Sequence, residues 1–373
     1  MKKLFLFIAA VMCAASVVWA QEIATWPKFR KGAATFTFDD GAPSHIEDVA
    51  PLFDSFGYKA SFYLVVNWEP DWESFQALAD NGHEIGSHSN THGNNMSGEE
   101  ASSKQNIDTY ITQPFGCLTV AYPNCAVPNE TAVEQNYIAG RICNGSWQGQ
   151  PDINSGNGPS NWCRVSAIMT GSEGIRITNE FTSKMQTAIN QGGWVVFLTH
   201  GLTNKNNGSA NYSLTDLGAI DGALRWAQQN DEDIWVSSMR NVAMYIKERK
   251  ATEFELKSEE EDCITYSLLH DLADNVCEYN YPLSLRVRFD KEWEEIEVKQ
   301  AENNLVHELK NGYLYFDAVP NGGDIQIIHK TDTGLEEVLN QKSNIKNQKL
   351  MIDGHLFILR NGHLFNAQGA RVK

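Results

Sequence analysis

The sequence is short of positive charge. It contains 30 Lys and Arg residues against 47 Asp and Glu residues, which gives a formal net charge of −17 at pH 7. A surface with this balance repels the phosphate backbone of nucleic acids and the head groups of anionic lipids. We therefore expect neither a nucleic-acid partner nor a membrane-surface partner, whereas neutral glycans are compatible with this charge.

Long apolar runs are absent after the first twenty residues, so the sequence predicts no transmembrane segment. Within those twenty residues, Lys2 and Lys3 precede an apolar run, and Val18-Trp19-Ala20 supplies small residues at the positions that a signal peptidase reads. This pattern predicts a signal peptide over residues 1–20 with cleavage before Gln21. The mature protein is expected to be secreted, whether periplasmic, extracellular or surface-attached.

Cysteine is scarce, and no Cys-x-x-Cys pair occurs. The missing pair argues against a thiolate metal site, so the six cysteines after residue 20 are expected to form disulfides in an oxidising compartment. Cys117 and Cys125 are separated by an apparently extended segment of about 25 Å, which is too long for a bridge between them. The preferred pairings are Cys143 with Cys163 and Cys263 with Cys277.

Strand patterns alternate with helix patterns through the first two thirds of the chain. Each strand is nearly continuous in apolar residues, which is typical of a parallel sheet that is covered on both faces or closed into a barrel. Periodicity alone does not separate these two architectures. Beyond the run that starts at Thr35, the predicted strands are 60–66, 84–87, 118–122, 140–143, 194–199 and 233–237, and the predicted helices include 72–79, 181–189, 217–228 and 242–249.

The pattern changes after Lys250. Apolar residues then alternate strictly with other residues, and Asn311-Gly312 and Asn321-Gly322 are turn signals, which predicts a small antiparallel β-sandwich over residues 251–335. Residues 336–373 contain two near-copies that begin with GHLF. This segment resembles the β-rich C-terminal tails of Bacteroidetes-type secreted proteins, which serve export or surface attachment, and a final hairpin of the sandwich is the alternative.

Three of the predicted strands end at residues that bind metals or transfer protons. TFTF leads into Asp39 and Asp40, HEIGS leads into His88 and His92, and WVVFLT leads into His200. Adjacent side chains on a strand point to opposite sides, and a helical turn would bring two histidines four residues apart together. Each signal alone is more often a turn or a structural histidine. Because parallel strands end on one shared face, the three signals together favour a metal-assisted hydrolase.

The same segments resemble a known family. TFDDG (37–41) and HSNTH (88–92) are similar to the first two motifs of the polysaccharide deacetylases, carbohydrate esterase family 4, and FLTHG (197–201) is similar to their last motif. The resemblance covers roughly residues 30–250, and the first two motifs are specific when they occur together in this order. It implies an irregular (β/α)7-type barrel within a catalytic domain over residues 21–250.

The resemblance also implies roles for the residues at the strand ends. Asp40, His88 and His92 would bind a divalent metal, with zinc first and cobalt or nickel as alternatives. Asp39 would be the general base that takes a proton from the attacking water, and His200 would protonate the departing sugar atom. The implied substrate is an acetylated polysaccharide or oligosaccharide, and we expect the protein to be a monomer.

Further residues are candidates for substrate contact. Leu198 is expected to line a pocket for the acetyl methyl group, and Tyr122 and Asn124 lie where the family places its oxyanion donor, a backbone N–H near Asn124. Residues 145–160 and 202–214 are predicted to be loops at the active face because they are rich in small and polar residues. Trp147 and Trp162, in or beside the first loop, would stack on sugar rings or pack in the core.

The chain departs from the family pattern at two motifs. The arginine of the third motif is absent from AYPNC (121–125), so that Arg141 or Arg164 would have to replace it from another strand. The fourth motif of the family, an Asp and a Trp that hold the histidine acting as general acid, has no clear match in this sequence. Asp152 is the first candidate for its aspartate, and Asn161-Trp162 is the second.

These observations predict a secreted, metal-dependent deacetylase of a polysaccharide. O-acetyl groups on xylan-type glycans are the first expectation, and N-acetyl groups on chitin-like or peptidoglycan chains are the second. The missing arginine motivates an alternative from another class, a catalytically inactive glycan-binding protein. Hydrolysis of small amides is a third possibility.

Overall fold

The structure is a computed structural model that describes residues 21–93, 96–272, 276–330, 347–352, 355–360 and 363–366. The predicted signal peptide over residues 1–20 lies outside these ranges. The described chain forms two compact units. The first contains residues 21–254, 269–289 and 307–321, and the second contains 255–268, 290–306 and the described residues from 322 onward.

The first unit is built around a nine-stranded sheet in which every pairing is parallel except that of one short strand. The first ten strands of the chain, of which all but the first belong to this sheet, are β1 (Gln21–Ile23), β2 (Gly32–Asp39), β3 (Ser61–Leu64), β4 (Glu84–Ser87), β5 (Thr119–Ala121), β6 (Ala139–Arg141), β7 (Ile153–Asn154), β8 (Ile168–Met169), β9 (Trp194–Thr199) and β10 (Ile234–Val236).

The parallel strands close into an irregular barrel. Seven of them follow one another around the ring in the order β2, β3, β4, β5, β6, β8, β9, and β9 pairs with β2 again. The ring closes between β6 and β8 through a single bridge from Arg141 to Val165. β10 pairs with the first half of β2, and β7 is the antiparallel strand, paired with β9. The predicted seven-stranded barrel is therefore confirmed.

Seven α-helices connect the strands. They are α1 (Ala50–Ser55), α2 (Trp72–Asp80), α3 (Glu100–Tyr110), α4 (Glu130–Asn136), α5 (Thr178–Gln191), α6 (Leu217–Gln229) and α7 (Met239–Ala251). The sequence predicts α2, α5, α6 and α7 well but gives little sign of α3, which buries only Glu100, Ser103 and Ile107. Such a helix has no broad apolar stripe from which periodicity could detect it.

None of the helices within the described ranges combines the length and the hydrophobicity that a bilayer crossing requires.

Alternate residues of β2 and β9 face two separate hydrophobic clusters. Phe36, Phe38 and Phe197 belong to one cluster, whereas Ala33 and Leu198 belong to the other, inside the barrel. Because side chains alternate along a strand, Asp39 continues the inward-facing series of β2. The alternation therefore brings a carboxylate to the mouth of the barrel.

Glu248 on α7 has a buried carboxyl group whose ionisation affects the stability of the fold. Its Oε1 accepts a hydrogen bond from the Tyr281 N–H at 2.8 Å, and burial raises the pKa of Glu248 from 4.5 to about 8. Between pH 4.5 and about pH 8, Glu248 binds more protons in the folded protein than in the unfolded protein. The free energy of unfolding therefore falls as pH rises through this range.

We expect Glu248→Gln to remove that pH dependence, because the amide keeps a carbonyl oxygen for Tyr281 and does not ionise. The melting temperature of the wild type should fall relative to that of the variant between pH 5 and pH 8. Thermal unfolding of both proteins across this range measures the difference, and a constant difference would contradict the prediction.

The remaining strands are antiparallel. They are β11 (Glu253–Glu259), β12 (Cys263–Leu269), β13 (Leu283–Arg288), β14 (Ile296–Gln300), β15 (Asn303–Asn304), β16 (His307–Lys310), β17 (Tyr313–Ala318), β18 (Ile325–His329), β19 (Asn347–Ile352), β20 (His355–Arg360) and β21 (His363–Asn366).

These strands form three sheets. The first, in the order β1-β13-β17-β16, lies in the first unit, the second has the order β11-β12-β18-β14-β15, and the third has the order β19-β20-β21. Asn311 and Gly312 both have positive φ angles, 54° and 74°, and form the predicted tight turn between β16 and β17. The predicted antiparallel strands are present, whereas an accessory domain over 251–335 and a sorting role for 336–373 remain predictions.

The disulfide differs from the predicted pairing. Cys125 is bonded to Cys143 with their Cα atoms 5.1 Å apart, while Cys163 and Cys263 are free thiols. The predicted bridges from Cys143 to Cys163 and from Cys263 to Cys277 are therefore wrong. β5 and β6 are parallel neighbours, so the segments that follow them emerge side by side and bring the two bonded cysteines together. Cys117 and Cys125 are unpaired with each other, as expected.

Candidate metal centre

The predicted site residues come together at the C-terminal edge of the barrel strands. Asp39 ends β2, His88 follows β4, Arg141 ends β6 and His200 follows β9. Asp40 has a φ of +78°, a left-handed conformation that turns the chain sharply after the strand. The parallel arrangement therefore assembles side chains that are far apart in the sequence.

His88 and His92 approach each other through a loop and not through the helical turn that their spacing suggests. Ser89 and His92 have positive φ angles of 67° and 55°. The His92 N–H donates to Ser89 Oγ at 2.9 Å, and the Glu99 carboxylate accepts the N–H of Asn90 at 2.7 Å. The histidine rings meet edge to face with their centroids 4.9 Å apart.

Asp40, His88 and His92 form a cluster with the geometry of a metal site. Asp40 Oδ1 lies 3.5 Å from His88 Nε2 and 3.5 Å from His92 Nε2, and the three possible ligand atoms lie within 4.8 Å of one another. Two ligands bound tetrahedrally at about 2.1 Å from one ion are roughly 3.4 Å apart. The residues present therefore fit one small divalent cation.

The surroundings of Asp40 and His88 favour binding of such a cation. Asp40 Oδ1 is buried and has no hydrogen-bond partner among the described residues. Burial and the neighbouring Asp39 raise the pKa of Asp40 to about 7, so a cation would relieve an unfavourable negative charge. His88 Nδ1 donates to the Ala121 carbonyl oxygen at 2.8 Å, which leaves the Nε2 lone pair facing Asp40. Burial lowers the pKa of His88 to about 4 and keeps it neutral.

Asp39 is held by an arginine that the family motif does not supply. Arg141 Nη2 donates to both carboxylate oxygens of Asp39, at 2.7 and 2.5 Å, and both side chains are buried. Burial has the largest single effect and would raise the pKa of Asp39. The charges of Arg141, His88 and His200 and the Arg141 hydrogen bonds together outweigh burial and lower that pKa. The other predicted substitute, Arg164, pairs instead with Glu130 at 2.5 Å. Of the two predicted arginines, Arg141 is thus the one that contacts Asp39.

Removing Arg141 should destabilise the fold strongly, because it leaves Asp39 buried without its counter-charge. For Arg141→Met we expect a loss of about 3–5 kcal/mol in the free energy of unfolding. Arg164→Met is a matched control, since it breaks a half-exposed pair and should cost no more than about 1 kcal/mol. Chemical denaturation measures both, and equal losses would contradict the assigned pair.

His200 lies at the same mouth with its Nδ1 buried and unbonded among the described residues. Its ring meets the ring of Tyr212 edge to face at 5.3 Å, and His45 Nε2 donates to its carbonyl oxygen at 2.8 Å. Burial lowers the pKa of His200, and the charge of Asp39 partly opposes this effect. Sequence patterns do not single out Tyr212, apart from its place in a loop predicted to face the site.

Neither residue predicted to hold His200 does so. Asp152 pairs with Lys184 at 2.7 Å, and the Asn161 side chain accepts the Cys163 N–H at 2.8 Å and donates to Glu130. The prediction that Asp152 or Asn161 holds His200 is therefore wrong, because both side chains bond to their own loop or to a neighbouring helix.

The predicted substrate-contact residues differ in exposure. Leu198 is fully buried inside the barrel below His200, and Tyr122 is buried with its hydroxyl donated to the Cys163 carbonyl at 2.8 Å. The Tyr122 ring is thus a core group. Asn124 has a φ of +52° in the turn after β5 and lies on the surface. Trp147 is 57% exposed.

Trp162 is partly buried, and the Lys247 ammonium lies 4.6 Å from its ring centroid. The sugar-stacking roles predicted for Trp147 and Trp162 remain predictions. His45 and His83 lie close to the motifs in sequence but have structural roles. His45 bonds the backbone of Ala42 and His200, and His83 bonds the Ala60 N–H and Asp54.

Comparison with known proteins relates part of this site to a protein family. Residues 27–124 match the family model described as polysaccharide deacetylase. The chain is also 25% identical over 329 residues to a gellan lyase from a Bacillus species, in a match that covers 82% of this chain. This chain spans 13% of the length of that protein.

Several solved structures are similar in part. The Xyl-CE4 domain of a multidomain xylanase from the hindgut metagenome of Trinervitermes trinervoides has 17% identity and a TM-score of 0.38, over 57% of this chain and 89% of that one. A family 4 acetyl xylan esterase from Clostridium thermocellum, in complex with a cobalt ion, has 16% identity and a TM-score of 0.34, over 56% and 89%. The peptidoglycan N-acetylglucosamine deacetylase catalytic domain from Eubacterium rectale has 15% identity and a TM-score of 0.34, over 56% and 89%.

The matched segment contains Asp39, Asp40, His88 and His92, the residues that converge on the candidate metal centre. Residues 27–124 of the chain therefore match the polysaccharide deacetylase family.

Proposed function

We propose that this protein hydrolyses acetyl groups from a polysaccharide in a metal-dependent reaction. The observation that carries the proposal is the convergence of Asp40, His88 and His92, with ligand atoms within 4.8 Å of one another, beside an arginine-held aspartate. One carboxylate and two neutral imidazoles leave coordination positions open, as a catalytic site requires.

Each residue at the mouth has a distinct part in this reaction. A divalent ion held by Asp40, His88 and His92 would supply Lewis acidity toward the acetyl carbonyl and would lower the pKa of a bound water molecule. Asp39, which Arg141 keeps ionised, accepts the proton of the attacking water. His200 delivers a proton to the sugar oxygen or nitrogen that departs, and the His45 hydrogen bond to its carbonyl oxygen fixes the backbone that carries it.

Two classes of substrate fit this chemistry. An O-acetylated xylan-type glycan is the first, and an N-acetylated chain of the chitin or peptidoglycan type is the second. The similarity to a gellan lyase supports a glycan substrate and does not select between these two classes.

The test is acetate release from acetylated xylan, chitooligosaccharides and peptidoglycan by the metal-depleted protein before and after zinc, cobalt or nickel is added. We expect release from at least one glycan that depends on added metal. Glycan binding without acetate release under all three metals would replace this proposal with an inactive glycan-binding protein. The inactive alternative was motivated by the missing motif arginine. The Arg141–Asp39 pair weighs against it, because Arg141 gives Asp39 an arginine partner.

We also propose that the protein is exported, on the pattern of residues 1–20. N-terminal sequencing of the mature protein from an exporting host tests this proposal. A mature chain that begins at Gln21 is expected, and an intact Met1 on protein found inside the cell would contradict it.

A further inference from the structure

A groove leads away from the candidate metal centre. It encloses about 440 Å³ and starts at Asp40. Three loops that follow barrel strands form its walls. The lining residues are Asp40, Gly41, Pro43, Ile46 and Glu47 after β2, Trp68, Glu69, Pro70, Asp71 and Ser74 after β3, and Gly208 and Ser209 after β9. A chain that presents an acetyl group at the metal centre could therefore continue along this groove.

The inner end of the groove is formed by a buried polar side chain, that of Asp40. The Asp40 side chain is 6% exposed, and its Oδ1 has no hydrogen-bond partner among the described residues. This atom belongs to the metal cluster, so the groove and the reaction centre are continuous. The groove is thus placed to hold the sugar next to the one that carries the acetyl group.

Trp68 gives the groove an apolar wall close to the metal ligands. Its ring stacks on His92 with the centroids 4.9 Å apart and the planes inclined by 30°, and the residue remains 40% exposed. Contact with His92 fixes one face of the indole while solvent reaches the rest of it. A rigid, amphipathic ring of this kind suits the C–H face of a pyranose.

The charge of the groove is negative. Glu47, Glu69 and Asp71 are exposed, and no Lys or Arg is among the residues that line it. Hydrogen bonds from the Ser74 hydroxyl and N–H lower the pKa of Asp71, which keeps it ionised. Lys205, on the loop after β9, pairs with Asp48 beside the groove. Beyond Asp40, a ligand in the groove meets three carboxylates and no Lys or Arg of the lining. A divalent ion on Asp40 would add positive charge only at the inner end.

We propose that this groove is a subsite that selects sugars by charge, favouring an amino sugar with a free ammonium group over a neutral sugar and rejecting a uronate. The proposal rests on the proposed function, because it takes the groove to continue the polysaccharide past the metal centre. An enzyme that removes N-acetyl groups produces such ammonium-bearing units itself. The groove would then hold already processed sugars beside the next acetylated one.

The test measures binding and not turnover, so that it stands apart from the test of the deacetylase activity. Zinc-loaded protein is titrated calorimetrically with tetramers of glucosamine, N-acetylglucosamine and galacturonate at low and high salt. We expect the cationic tetramer to bind roughly tenfold more tightly than the neutral one, and the anionic tetramer to bind most weakly. High salt should reduce these differences.

A triple variant neutralises the three carboxylates by the changes Glu47→Gln, Glu69→Gln and Asp71→Asn. We expect it to bind the three tetramers with similar affinities. It should keep the fold, since Asn still caps α2 in place of Asp71. Glu232→Gln, an exposed change before β10 at the opposite end of the strands, is the matched control and should preserve the order. An unchanged order in the triple variant, or equal affinities in the wild type, would overturn the subsite. If acetate release fails while the charge order holds, the proposed reaction is wrong and the groove assignment stands.

Discussion

Replacing Asp39 by Asn is expected to lower acetate release by about 10²- to 10⁴-fold while the protein keeps its metal. The amide is nearly isosteric with the carboxylate but cannot accept a proton from water. Asp39 Oδ2 is 3.9 Å from His88 Nε2, whereas Asp40 Oδ1 lies 3.5 Å from both histidines, so we expect Asp40 and not Asp39 to be the metal ligand. The loss should therefore appear in kcat, with metal content unchanged.

The control for this prediction is Asp152→Asn. Asp152 pairs with Lys184 on the surface of the same unit, so its neutralisation should leave acetate release within about twofold of the wild type and cost at most about 1 kcal/mol of stability. This variant also tests the sequence-based idea that Asp152 holds the acidic histidine. Full activity of the Asp39→Asn variant, or loss of its metal, would contradict the assignment of Asp39 as the general base.

Replacing His88 by Ala should weaken metal binding by more than roughly 100-fold, because even residues that only support a ligand commonly contribute 10- to 100-fold. His88 is the most buried of the three candidate ligands, and its Nδ1 donates to the Ala121 carbonyl oxygen. Metal content after dialysis against a weak chelator measures the effect, and acetate release should fall with it.

His83→Ala is the matched control for His88→Ala. Both histidines are buried and close in sequence, but His83 bonds the Ala60 N–H and Asp54 away from the metal cluster. We expect the control to lower the melting temperature and to retain one metal ion per chain. Equal metal retention by the two variants would show that the cluster is not the binding site.

The metal cluster could be predicted from the sequence because strand patterns and motif residues coincide. The apolar runs that end at Asp39 and before His88 become β2 and β4, and parallel strands necessarily bring their C-terminal ends to one edge. The local conformation was less predictable. His88 and His92 meet through two left-handed residues and a serine hydrogen bond, which spacing alone does not distinguish from a helical turn.

Contacts between strands that are distant in sequence could not be predicted. Arg141 reaches Asp39 across 102 residues of chain, and its choice over Arg164 depends on which residue faces the barrel interior. The Cys125–Cys143 bond depends in the same way on β5 lying beside β6. Both pairings follow from strand order and register, which leave no trace in local composition.

The sequence by itself determined the alternation of strands and helices, the three motif positions and the acidic balance, because these depend on the order and type of residues along the chain. The tertiary structure decided which arginine neutralises Asp39, which cysteines bond, and that Trp68 and three carboxylates line a groove beginning at Asp40. Such relations depend on distances between side chains, and those distances are fixed only when the strands pair and the barrel closes.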